Sequence, residues 1–375
     1  MQDREKFTQK AILVQIELFS LKTKNSSTNS AHEFRELALS SGATIFGEII
    51  GKQDRPTAKL YLKKGKAEEI KQELIDTCAE LVIFNHDLSP SQERNLEKFL
   101  GVRVLDRTGL ILDIFASRAS SHIGKLQVEL AQLQHLSTRL VRGWSHLERQ
   151  KGGIGLRGPG ETQLETDRRL IGQRIKSIKK RLDKSHNQRL VNRYSRKKSK
   201  NNLVALIGYT NAGKTTLFNQ LTGDTQYAAD KPFATLDATT RKNTTPGIDS
   251  ILFSDTVGFI SDLPTQLIES FKATLDELRS ADLLLHIVDI SDPDLKFKIA
   301  QVDKLLKDLK ADSIPQIRVN NKSDLVNVSE AKILTDNSEI WVSADKSTGI
   351  QDLKEAINNH LSEGIYKGWV SIDSS

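Results

Sequence analysis

Short apolar runs that alternate with helical patterns predict an α/β protein of three parts. A small N-terminal α/β layer domain covers residues 1–106, and a long antiparallel helical hairpin covers 107–199. A mostly parallel sheet with helices on both faces covers 200–362, with a short tail at 363–375. Three observations carry this. Strand and helix patterns alternate in the first and last thirds of the chain, and parallel strands need such crossover connections. The middle third changes to leucines at three- and four-residue steps. One loop, Gly208 to Thr215, has the spacing G-x-x-x-x-G-K-[ST] between an apolar run and a helical one.

In the first part, Ala11–Leu18, Thr44–Ile49, Glu80–Phe84 and Val102–Leu105 read as strands. Ala31–Leu39, Lys66–Thr77 and Ser91–Leu100 read as helices, the last opened by Ser89-Pro90. The basic run Lys63–Lys66 lacks phosphate-loop spacing, so a ligand role there is weak. The single cysteine, Cys78, can form no internal disulfide and reads as a small core residue beside Leu81–Phe84.

From about Leu110 to Glu148 the pattern is helical. Leu126, Leu130, Leu133, Leu136 and Leu140 fall on one face and predict core. A second helix, about Thr162 to Lys200, carries Leu164, Ile171, Ile175, Ile178 and Leu182. The loop between them, Lys151–Gly160, holds five glycines and a proline. A plain hairpin turn needs only a few residues, so this tip is either a loose connector or a segment built to insert into a crevice.

The last part carries the chemistry. Leu203–Ile207 reads as a buried strand and Thr216–Leu221 as a helix. Between them, Gly208, Tyr209, Thr210, Asn211, Ala212 and Gly213 can aim backbone N–H groups at a phosphate, aided by the helix N-terminus. Lys214 can reach the β- and γ-phosphates and the Thr215 hydroxyl can ligate Mg²⁺. Asn321-Lys322-Ser323-Asp324 follows the apolar strand Ile314–Asn320. There the Asp324 carboxylate can accept from guanine N1–H and the 2-amino group, donors that adenine lacks. Lys322 can lie along the base, and Asn321 can tie this loop to the phosphate loop. Ser343-Ala344-Asp345 ends the strand Glu339–Val342 and could offer the Ala344 N–H to guanine O6. Asp255-Thr256-Val257-Gly258, after the strand Ile251–Asp255, can hold Mg²⁺ through a water at Asp255 and sense the γ-phosphate at the Gly258 N–H. The aperiodic segment Asp224–Thr245 reads as a first switch. Within Phe233-Ala234-Thr235-Leu236-Asp237, Thr235 supplies the second Mg²⁺ hydroxyl, with Thr239 and Thr240 as rivals. Four motifs in one order make this a GTPase domain. Phe259 stands after Gly258 where many small GTPases place a Gln, so slow hydrolysis completed by a partner is expected.

Composition sets the surroundings. No apolar run approaches the roughly 18–20 residues that span a bilayer, and Met1–Phe7 is charged, so no leader is visible. Cytoplasmic location follows as the expectation. Net charge is +7, and between Arg174 and Lys200 twelve Lys or Arg face one acid, Asp183. A solvated face usually mixes signs, so this stretch points to a polyanion; a basic linker is the alternative.

Gly152–Glu165 resembles the signature loop of the HflX family of ribosome-associated GTPases. Asp106–Phe115, Gly208–Thr215, Phe233–Asp237 and Asp255–Ile260 are similar to that family too, and the resemblance spans about residues 10 to 362. It implies GTP or GDP with Mg²⁺ as ligands and the large ribosomal subunit, rRNA and protein, as partner. It implies splitting or rescue of stalled ribosomes, with the glycine loop near the peptidyl-transferase region. Carried over, GTP contacts fall on Gly208–Thr215, Phe233–Asp237, Asp255–Gly258, Asn321–Asp324 and Ser343–Asp345. Mg²⁺ meets Thr215 and Thr235, and Lys214, Thr235 and Gly258 carry hydrolysis. A monomer is expected. Thr215 replaces the usual Ser and keeps the hydroxyl, while Ala238 stands where a proline is common. The chain ends at Ser375, whereas many relatives carry a further C-terminal domain, which puts that domain's contacts in doubt. An RNA remodeller whose GTPase only gates RNA access, and a regulatory GTPase with a protein effector, remain open.

Overall fold

The fold is described from a computed structural model, over residues 9–18, 27–143, 159–198, 201–223, 232–233, 239–243, 251–256, 258–260, 264, 266–267, 269–271, 278–326 and 339–363. The chain divides into two compact units, residues 1–117 with 126–180, and residues 118–125 with 181–375.

In the first unit the order is β1 (Lys10–Leu18), α1 (Ser27–Ser40), β2 (Thr44–Gln53), α2 (Lys64–Thr77), β3 (Leu81–Phe84), α3 (Pro90–Leu100), β4 (Arg103–Leu105) and α4 (Arg107–Arg118). The strands form one parallel sheet in the order β2-β1-β3-β4. Residues 11–16 of β1 are all buried, as a central strand covered on both faces requires. Strand β2 runs past the expected Ile49 because its register with β1 continues to Leu18↔Gln53. Helix α3 starts where Ser89-Pro90 predicts: Ser89 and Gln92 form a reciprocal capping box, and Gly101 closes the helix in the left-handed region. The core joins Ile12, Val14, Ile70, Val82, Phe84 and Leu96.

Cys78 departs from its expectation. It caps α2 in the left-handed conformation (φ 51°) and is exposed. The chain turns there from α2 toward β3, and that turn directs the thiol away from the core.

The helical region also differs. The expected run from Leu110 to Glu148 is two helices, α4 and α5 (His122–Gly143). The Ser121 hydroxyl accepts from Gly124 N at 2.8 Å and starts α5 afresh. Of the leucine stripe, Leu126 and Leu130 are buried and Leu133 is half-buried, but Leu136 is 45% exposed. The Leu140 side chain lies outside the described residues. Helix α6 (Pro159–Lys198) buries Ile178, while Ile171, Ile175 and Leu182 are half-buried. Arg174 of α6 donates twice to the Glu129 carboxylate of α5, at 2.6 and 2.9 Å. Of the glycine tip, residues 151–158 lie outside the described residues.

The second unit is built on β5 (Asn202–Ile207), α7 (Lys214–Thr222), β6 (Thr239–Asn243), β7 (Ile251–Asp255), β8 (Leu283–Asp289), α8 (Leu295–Asp308), β9 (Gln316–Asn321), β10 (Ile340–Trp341) and α9 (Ile350–Glu363). Six strands lie in the order β10-β9-β8-β5-β7-β6, all parallel except β6, which runs antiparallel to β7. Strand β5 is the point where the order reverses, β7 on one side and β8 on the other. In such sheets the crevice beyond the carboxyl ends at the reversal is the ligand site. Val204, Leu206, Leu217, Phe218, Ile287, Val319, Leu353 and Ile357 share one buried cluster that fixes the sheet against α7 and α9.

Candidate nucleotide site

Gly208 leaves β5 and the loop ends at the first turn of α7, the expected strand–loop–helix order. Asn211 and Gly213 both take left-handed φ values, 64° and 86°. A Cβ on Gly213 would overlap Asn321 Nδ2. The loop is bolted to two neighbours. Thr210 N donates to Phe259 O (2.7 Å) and Phe259 N to Gly208 O (3.1 Å), joining it to the residue after the D-x-x-G motif. Asn321 Nδ2 donates to Ala212 O at 2.9 Å, the link expected of Asn321.

Lys214 is buried and donates from Nζ to Tyr209 O at 2.7 Å. Burial pulls its ammonium down to about 8, opposed by the Asp255 charge. Phosphate oxygens would supply the counter-charge that burial denies it. Gly258 faces it: a Cβ there would sit 2.9 Å from Thr210 Cγ2 and 3.1 Å from Lys214 Nζ. The Thr215 hydroxyl donates to Asp255 Oδ2 at 2.8 Å, both side chains buried. A hydroxyl and a carboxylate converging beside a phosphate loop are hard oxygen donors, which suit Mg²⁺. The donor set therefore fits GTP with Mg²⁺. Thr256 turns away, its hydroxyl donating to Leu206 O at 2.6 Å.

Ala234, Thr235, Leu236, Asp237 and Val257 lie outside the described residues. Phe233 is buried in the left-handed region (φ 57°). The rivals Thr239 and Thr240 open β6 opposite Asp255 and Ser254. Phe259 is buried, its backbone committed to the phosphate loop, so its ring is an apolar packing element.

At the base end, Asp324 lies exposed in a single 3-10 turn and accepts from the Ser343 hydroxyl, which holds the carboxyl below its ordinary value. Ser323 N donates to Val342 O (3.1 Å), fixing that turn to the end of β10. One detail differs from expectation. The Ala344 N–H donates to Asn321 Oδ1 at 3.0 Å, so here it braces the loops. Lys322 Nζ pairs with Asp289 at 2.7 Å, which steers its stem. Asp345 is exposed and pairs with Lys346. Asp289 was given no role by the motifs; its place at the carboxyl end of β8, one strand from the reversal, is the signal that marks it.

Residues 28–116 match the family described as GTP-binding GTPase N-terminal, and 118–196 the GTP-binding GTPase middle region. Residues 203–322 match the 50S ribosome-binding GTPase family. GTPase HflX of Escherichia coli (strain K12) is 48% identical over 366 residues, covering 96% of this chain and 85% of that protein. GTPase HflX of Caldanaerobacter subterraneus subsp. tengcongensis is 45% identical, covering 96% of this chain and 82% of that protein. A crystal structure of SsGBP with GDP shares the fold at TM-score 0.51 and 24% identity, covering 95% of this chain and 99% of that one. With the phosphate loop, its two anchoring loops and these relatives in agreement, the chain belongs to the HflX family of GTPases, which bind GTP and GDP with Mg²⁺.

Proposed function

We propose that this GTPase associates with the large ribosomal subunit and splits or rescues stalled ribosomes. The observation that carries the reading is α6. Its Lys176, Lys179, Lys180, Arg181 and Lys184 are all exposed, with Asp183 the one acid among them. Such a face binds phosphate backbones through counterion release. The match of residues 203–322 to a 50S ribosome-binding GTPase supports ribosomal RNA as that backbone.

In this reading Gly208–Thr215 cradle the phosphates, Lys214 neutralises the β/γ oxygens, and Asp324 selects guanine. Thr215, Asp255 and Thr235 would hold Mg²⁺, which supplies charge neutralisation at the transferred phosphoryl group. Gly258 senses the γ-phosphate, and its bolt to the phosphate loop through Phe259 passes that state onward. Phe259 offers no side-chain hydrogen bond to a water, so hydrolysis is slow until ribosome contact completes the site.

Co-sedimentation with 50S subunits tests the reading. Binding should strengthen with a non-hydrolysable GTP analogue over GDP and fall steeply with salt. Removing Gly152–Gly160 should spare nucleotide binding and abolish splitting; unchanged splitting removes the glycine tip from the mechanism. Nucleotide-independent, salt-insensitive binding would overturn the ribosomal assignment.

A further inference from the structure

Glu339 lies outside every nucleotide motif, at the entrance to β10. Its carboxylate accepts from two side chains of β9: Arg318 Nη1 reaches Oε1 at 2.9 Å, and Asn320 Nδ2 reaches Oε2 at 2.6 Å. The Glu339 side chain is 5% exposed and Asn320 is 1% exposed. Arg318 and Asn320 are two residues apart, so both stand on one face of β9, and Asn321 points to the other.

The strand that this fork secures is short, and Ile340 and Val342 anchor it from the core side. β10 is two residues long, pairing Ile340↔Val319 and Trp341↔Asn320 at the sheet edge. Beyond it, Val342 N donates to Asn320 O at 2.8 Å. The next residue is Ser343. Its oxygen accepts from Lys346 N at 3.1 Å, and its hydroxyl bonds Asp324. A hydroxyl has one proton, and Asp324 takes it. The direction of the Asp324 carboxylate thus depends on where β10 delivers Ser343.

We propose that Glu339 is a positioning residue for base selection: by clamping β10 to β9 through Arg318 and Asn320, it holds the Ser343 hydroxyl against the carboxylate that reads guanine. The inference rests on the base-reading role proposed above for Asp324. Replacing the carboxylate by an amide leaves one acceptor for two donors and turns an N–H toward the other. The two-residue strand then loosens at its entrance, and the displacement is carried through β10 to Ser343, which follows its exit.

The test compares GDP with inosine diphosphate, which lacks only the 2-amino group, in Mg²⁺ buffer by calorimetry on the full chain. In Glu339→Gln the dissociation constant for GDP should rise about tenfold, and the preference for GDP over IDP should shrink about three- to tenfold. Hydrolysis at saturating GTP should keep its kcat while KM rises. Asp324→Asn is the control for the underlying reading and should erase the preference. An unchanged preference in Glu339→Gln beside a lost preference in Asp324→Asn overturns the positioning role alone. A preference intact in Asp324→Asn overturns the base reading and this inference with it. Should Glu339→Gln fail to fold, Arg318→Lys carries the same comparison, since lysine keeps the charge without the planar fork.

Discussion

Asn321→Ala probes the joint on which the nucleotide site depends. The Asn321 amide donates to Ala212 O at 2.9 Å and accepts from Ala344 N at 3.0 Å, so one side chain ties β9 to the phosphate loop and to the loop after β10. Asn321, Ala212 and Ala344 are each 2% exposed. Truncation strands a buried carbonyl and a buried N–H, at about 1–3 kcal/mol apiece, or about 2–6 kcal/mol together. Water entering the space left by the amide draws the result toward the lower half of that range. Urea unfolding followed by circular dichroism should show the loss as a lower midpoint at constant slope. GDP affinity should fall by at least about tenfold, because the phosphate loop loses its brace. Asn321→Asp sharpens the test. It keeps an acceptor for Ala344 N but sets an oxygen against Ala212 O, so it should be no better than alanine. A loss under about 0.5 kcal/mol with GDP affinity unchanged would refute the joint.

Two further outcomes follow from the burial of charge. Lys214→Ala should abolish GTP binding by calorimetry while leaving the circular dichroism spectrum and thermal midpoint intact, since the buried ammonium carries a desolvation penalty; retained micromolar binding would contradict the loop assignment. His86 is held neutral, pushed down to about 4 by burial and by Arg107, and its Nε2 accepts from Ile16 N at 3.0 Å. The unfolded chain therefore binds the extra proton between about pH 6.5 and 4, and stability falls as pH drops through that window, by up to about 3 kcal/mol. His86→Gln should flatten this acid limb in urea titrations of the first unit. An unchanged limb would place the titration elsewhere in that unit, for example at His135, which burial also pushes down.

Much of the site was legible because its chemistry needs fixed residue types at strand ends. Gly208, Asp255 and Asn321 sit where an apolar run stops, and the structure puts all three at the carboxyl ends of β5, β7 and β9 or in the loop that follows, with Lys214 opening α7. Periodicity served less well where it says which face is apolar but not how far a partner extends. Leu130 is buried and Leu136, on the same stripe, is exposed. The break at Ser121 was hidden because serine is tolerated inside helices; it becomes a cap only once the chain turns there. Cys78 misled because a small residue near a strand reads as core until the left-handed turn is seen.

The amino-acid order alone determined the alternating α/β architecture, the phosphate-loop spacing, the carboxylate proposed to read the purine, and the basic helix. Each is a local pattern whose spacing is its own signal. Tertiary structure alone decided that Ala344 braces Asn321, that Asp289 steers Lys322, and that Glu339 anchors the edge strand. Those pairings join residues 19 to 33 positions apart across neighbouring strands. Which buried donor meets which acceptor is settled by sheet order and register, and these arise only when the whole core closes.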